Sequence, residues 1–155
     1  MYDFNYHKPD CIDEAIKLFL GAEDGIYLAG GHTLLPSMKQ RLAAPTDVID
    51  LAGIEGLSGV KSVGSELDIG ALTAHDEVAT SPVVQSVIPA LAELASLIGD
   101  AQVRNRGTIG GSVANSDPAA DYPAGVLGLG AEIVTNKRSI AADDFFTAMF
   151  ETALE

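Results

Sequence analysis

Apolar positions repeat first with helical and then with strand-like spacing along this chain, and each change of period marks an element. Residues 12–20 predict a helix, and the short apolar run at 25–29 predicts a buried strand. Leu34, Leu35, Met38 and Leu42 share one helical face, so a helix starts at Thr33, and residues 47–51 predict another strand. With a short strand ahead of residue 12, the order up to residue 54 is that of a small β-α-β unit with a parallel sheet. Gly53, Gly56, Gly59 and Gly64 then punctuate a change of style. Residues 57–62 and 67–72 predict a hairpin, followed by helices at 75–79 and 82–98. A helix at 123–129 and strands at 131–135 and 139–141 follow, the last two joined by a turn at 136–138. The fold class is α+β in two lobes, 1–54 and 55–155, the second a larger mixed or antiparallel sheet with helices.

Two glycine-centred segments interrupt this pattern, Ala29-Gly30-Gly31-His32-Thr33 and, about eighty residues on, Arg104-Asn105-Arg106-Gly107-Thr108-Ile109-Gly110-Gly111-Ser112. Each sets adjacent glycines beside a hydroxyl residue, a composition suited to bringing several backbone N–H groups against one anion, here inferred to be a diphosphate. The first segment lies between strand and helix. Thr33 can cap that helix and Pro36 sits in its first turn, so free N–H groups and the positive end of the dipole face the loop. Lys39 and Arg41 complement the dipole at the far end or, less directly, contact phosphate. Neither the P-loop pattern nor the G-x-G-x-x-G dinucleotide fingerprint is present. On this reading a valine at Gly110 or Gly111 fills the approach to phosphate without unfolding the chain.

Charge and cysteine content narrow the function classes. The 22 acidic against 9 basic residues give a net charge of −13, which argues against nucleic acid and anionic membrane surfaces as partners. One cysteine, Cys11, excludes an internal disulfide and cannot hold an iron–sulfur cluster. His7, His32 and His75 lack metal-ligand spacing, so no metal site is expected. Ser112 and Ser116 have no base in any hydrolase motif, so no catalytic residue is assigned. The most apolar stretch, 83–98, is interrupted by Gln85, Pro89 and Glu93 and is too short to span a bilayer, so the default location is cytoplasmic.

Residues 27–36 and 106–124, which contain the two glycine segments, resemble the two FAD loops of the medium, flavin-carrying subunit of molybdenum hydroxylases. That group contains aerobic carbon monoxide dehydrogenase and xanthine dehydrogenase. Residues 4–9, 47–51 and 70–75 fit the same pattern, so the resemblance covers nearly the whole chain. It implies a two-lobed FAD-binding domain of the vanillyl-alcohol-oxidase/PCMH type, with the cofactor in the crevice between the lobes. It implies that Ala29, Gly30, Gly31, His32 and Thr33, with Thr108, Ile109, Gly110, Gly111 and Ser112, wrap the FAD diphosphate. Asp121 then bonds ribityl or ribose hydroxyls, for which a carboxylate is a suitable acceptor; alternatively it is a turn residue before Tyr122-Pro123. Residues 98–102 are the stretch of the preceding helix and its exit placed to line the cofactor.

The resemblance also implies partners, a molybdenum-cofactor large subunit and a 2Fe-2S small subunit. Electrons released at molybdenum pass through the iron–sulfur clusters to FAD and on to a soluble or membrane acceptor. Similar subunits continue through further sheet and a C-terminal domain beyond the point where this sequence stops, as a fragment, a split-gene product or a trimmed chain would. Two other readings stay open: a stand-alone FAD-dependent oxidoreductase of the same superfamily, and a truncated nucleotide-binding or assembly module.

Overall fold

The computed structural model describes residues 1–154. Its first lobe is the expected β-α-β arrangement: β1 (Asn5–His7), α1 (Ile12–Gly21), β2 (Gly25–Leu28), α2 (Leu34–Lys39) and β3 (Asp47–Asp50). The sheet is parallel in the order β1-β3-β2, so β3, last in sequence, is central. Val48 and Ile49 of β3 point to opposite faces, and both are fully buried. Ile49 packs with Ala15 of α1 and with Ile54, and Leu18 and Phe19 flank this small core. Phe19 also stacks on Tyr27 of β2, ring centroids 4.7 Å apart. The Asp47 carboxylate ties the outer strand to the centre, meeting His7 Nε2 at 2.7 Å and accepting from Asn5 Nδ2 and Thr46 Oγ1. Those partners, His7 first, hold the carboxyl below its usual range.

A 3-10 turn at Leu51–Gly53 leads into the second lobe, which opens with the antiparallel hairpin β4 (Val60–Val63) and β5 (Glu66–Ile69). Helices α3 (His75–Thr80), α4 (Pro82–Val87), α5 (Pro89–Leu97), α6 (Ala101–Arg104), α7 (Ile109–Asn115) and α8 (Asp121–Gly128) follow. The chain ends through β6 (Glu132–Val134), β7 (Ser139–Ala141), α9 (Ala142–Phe145), β8 (Phe146–Ala148) and β9 (Glu151–Thr152). Val78, Val84, Leu91, Ala95, Ile109, Val113, Tyr122, Val126 and Phe145 bring α3, α4, α5, α7, α8 and α9 into one core.

Three expectations change here. The helix expected over 82–98 is two helices, because Pro89 has no N–H to donate and forces Ile88 out of the helical region to φ −135°, ψ 72°. The unanticipated α6 forms because the Asp100 carboxylate accepts from the N–H groups of Gln102 and Val103 at 2.9 and 3.1 Å. Finally, the expected larger sheet of the second lobe is a set of separate two-stranded antiparallel ribbons, β4-β5, β6-β7 and β8-β9, laid around the helical core.

Candidate functional site

The first glycine segment turns the chain from the end of β2 into α2, and the second lies where α6 hands over to α7. The fold presses them together. A Cβ on Gly30 would run into the carbonyl oxygen of Arg106 and come within 2.8 Å of the Gly107 Cα, so only glycine allows the two backbones this approach. One on Gly111 would lie 3.6 Å from the Ala29 Cβ. Gly31 adopts φ +77°, which glycine tolerates without strain.

Their backbone N–H groups differ sharply. Among the described residues, those of Gly30, Gly31, His32 and Thr33 have no acceptor within the chain, and the first return bond runs from Leu35 N–H to the Gly31 carbonyl at 3.0 Å. The second segment is not an open loop. It is the N-cap and first turn of α7, and nearly all its donors are engaged. Gly107 N–H donates to the Val103 carbonyl, Ile109 to Thr73, Gly110 to Ala71 and Ser112 to Thr108. Gly111 N–H donates to the Thr108 hydroxyl at 3.1 Å, which caps the helix. Among the described residues the N–H groups without an acceptor are therefore concentrated in the first segment.

The reason for the second glycine pair changes accordingly. A Cβ on Gly110 would meet the Ala71 Cβ at 2.5 Å and the Ala71 carbonyl oxygen at 2.6 Å, and one on Gly111 would meet the Thr108 hydroxyl at 2.7 Å. Glycine at 110 is thus required for packing α7 on the 71–74 segment. Thr33 also differs from expectation. It has helical dihedrals and makes no side-chain cap, and its carbonyl accepts from the N–H and hydroxyl of Ser37 instead. Of the two cations at the far end of α2, Lys39 is its last residue, whereas Arg41 lies beyond it at φ 62° and stacks its guanidinium 5.5 Å above the Tyr2 ring.

Beneath the junction lies a pair that the sequence did not single out. His75, 5% exposed, donates its backbone N–H to the Gly107 carbonyl, and its ring lies 2.5 Å from where a Cβ of residue 107 would stand. Tyr122, fully buried, tilts against it with ring centroids 5.2 Å apart. Among the described residues, His75 Nδ1 and the Tyr122 hydroxyl have no hydrogen-bond partner. Burial, with a smaller contribution from His32, pushes His75 down to about 4, and burial pushes the Tyr122 hydroxyl well above its ordinary value. Both therefore stay neutral around pH 7. Their side chains stand in segments that carry the family resemblance, but burial is a property of the fold that no local pattern announces.

Asp121 is exposed in the first turn of α8, one residue before Tyr122, and its carboxylate has no partner among the described residues. His32 and Thr33 are exposed at the mouth of the first segment. An open surface concavity lined by Asp10, Cys11, Ile12, Asp13, Ile54 and Glu55 includes no residue of the glycine segments. Among the described residues no group of three or more His, Cys, Asp or Glu is placed to hold a metal, and no helix is long and apolar enough to cross a membrane.

Residues 2–155 match the family described as the FAD binding domain in molybdopterin dehydrogenase. The carbon monoxide dehydrogenase medium chain of Hydrogenophaga pseudoflava is 45% identical over 98% of this chain and 55% of its own length. That of Afipia carboxidovorans is 40% identical over 98% of this chain and 54% of its own. The solved carbon monoxide dehydrogenase from Hydrogenophaga pseudoflava superposes with a TM-score of 0.95 at 44% identity, covering 98% of this chain and 55% of that one. The chain thus spans about half the length of the curated relatives it matches. Two abutting glycine segments in a two-lobed α+β fold, matched across almost every residue, place this chain in the family of FAD-binding domains of molybdopterin dehydrogenases.

Proposed function

We propose that this chain binds FAD across the contact between its two glycine segments and acts as the flavin-carrying electron-transfer subunit of a molybdenum-containing hydroxylase or dehydrogenase. The observation that carries this reading is the contact of Gly30 with Arg106 and Gly107, beside four adjacent N–H groups without an acceptor. Ala29, Gly30, Gly31, His32 and Thr33 would offer those donors to the diphosphate. Thr108, Ile109, Gly110, Gly111 and Ser112 would close the other side, with the Ser112 hydroxyl as a further donor. The free carboxylate of Asp121 would accept from sugar or ribityl hydroxyls.

When bound, FAD supplies the redox chemistry, accepting electrons from iron–sulfur clusters of a partner and releasing them to an external acceptor. The residues of this chain would bind and orient it, with the N–H groups of 30–33 offered to its diphosphate. The site lies where lobes 1–54 and 55–155 meet. The partners are a molybdenum-cofactor large subunit and a 2Fe-2S small subunit, and the assembly works in the cytoplasm. Support comes from the medium-chain relatives and from the single exposed cysteine, which leaves clusters to other chains.

The visible spectrum of the purified chain, before and after incubation with FAD and gel filtration, tests the reading. Retained stoichiometric flavin is the expected result. A chain that folds yet takes up no FAD overturns it.

A further inference from the structure

Two arginines stand at the junction of the glycine segments, and they are held differently. Arg104 Nη1 donates to the Ile98 carbonyl at 2.7 Å, and its Nε lies 4.0 Å from the Asp76 carboxylate, so both its fork and its charge are engaged within the second lobe. Arg106 is exposed, and among the described residues its side chain has no hydrogen bond and no acidic partner, in a chain with 22 acidic residues. Its backbone is fixed, with the N–H donating to the Val103 carbonyl at 3.1 Å and the carbonyl oxygen resting against Gly30. The backbone that carries this unpaired guanidinium is therefore anchored against the segment whose N–H groups are free.

That location has an electrostatic meaning. A chain of net charge −13 repels a dianionic ligand at long range, and backbone N–H groups carry only partial charges. Of the other cations near the first segment, Lys39 terminates α2 and Arg41 is stacked on Tyr2. Arg106 remains, and a guanidinium fork matches phosphate oxygens in two parallel hydrogen bonds.

We propose that Arg106 is the charge partner of the diphosphate held at the first glycine segment and makes the site select FAD over flavins that lack phosphate. The inference rests on the FAD reading above and adds to it a residue that discriminates between flavins. The test titrates FAD and riboflavin into the flavin-free chain at low and high salt, for the parent, Arg106→Gln and Arg106→Lys, with thermal melting as a check on folding. In Arg106→Gln, FAD affinity is expected to fall about 10- to 100-fold, as for loss of a charge-assisted bidentate contact. Its salt dependence flattens and riboflavin affinity stays at the parent's value. Arg106→Lys recovers part of the loss. Unchanged FAD affinity and salt dependence in Arg106→Gln overturns the assignment, as does a parallel fall for riboflavin, which marks a general effect on the site. A folded parent that binds no FAD instead removes the FAD reading itself, so the two failures are told apart.

Discussion

Gly110 packs so tightly on Ala71 that any side chain there must displace backbone. Gly110→Val is therefore expected to destabilise the fold by roughly 1–3 kcal/mol or more, seen as a lower melting temperature without ligand. A variant that melts like the parent would return the glycine to a role in ligand approach. Asp121 offers the contrast, since its exposed carboxylate has no partner among the described residues and contributes only about 0.3–1 kcal/mol as an acid in the first turn of α8. Asp121→Ala should weaken FAD by roughly 1–3 kcal/mol, read by titrating flavin-free protein. Equal affinity with a lower melting temperature would make it a helix-end residue alone. His75 titrates at about 4 in the fold against an ordinary value of 6.5, because burial disfavours its charged form. The unfolded chain thus binds more protons between those values. Stability is full above pH 6.5 and falls as pH drops towards 4, by up to roughly 3 kcal/mol. Urea melts across that window should show the slope in the parent and a flatter profile in His75→Phe.

The short helices of the second lobe depend on their ends. Asp100 satisfies two N–H groups of the four-residue α6, which has no interior to stabilise it, and α6 carries the chain into the Arg106–Gly107 contact. Asp100→Ala is expected to cost about 1 kcal/mol and to loosen that contact, so hydrogen exchange at the amides of residues 101–107 should quicken. Unchanged exchange would show that α6 is held by packing alone. At this scale the sequence was legible where a pattern is local. The β-α-β order of 5–50 follows from period and punctuation, and Pro89 explains the break between α4 and α5 once the preceding residue is considered. What could not be read is which N–H groups are free. Gly110 N–H is engaged because the fold brings the Ala71 carbonyl to it from a distant part of the chain, whereas Gly31 and His32 are left open because nothing arrives. The likeness of the two glycine segments in composition conceals this difference. His75 and Tyr122 were illegible for the same reason, since their burial arises only when α3, α7 and α8 pack.

For the molecule as a whole, the assignment to a flavin-carrying subunit predicts that iron and molybdenum follow other polypeptides. Co-purification from the native source with metal analysis should find both in chains that travel with this one, and their association rate should be salt-sensitive because a net charge of −13 acts on encounter more than on affinity. The chain isolated alone, flavin-loaded and oxidising a small organic substrate without metal, would promote a self-sufficient oxidoreductase instead. The contact of Gly30 with the Arg106 carbonyl reaches further than the site. It joins a tip of the first lobe to the second through a long intervening chain, and its closure carries an entropic cost. A ligand that binds only the closed form shares that cost. At a hundredfold excess over its dissociation constant it adds about 2.7 kcal/mol to the folded state. On the FAD reading proposed above, flavin supply inside the cell then becomes a quality-control variable, because the folded population that survives proteolysis should rise with it.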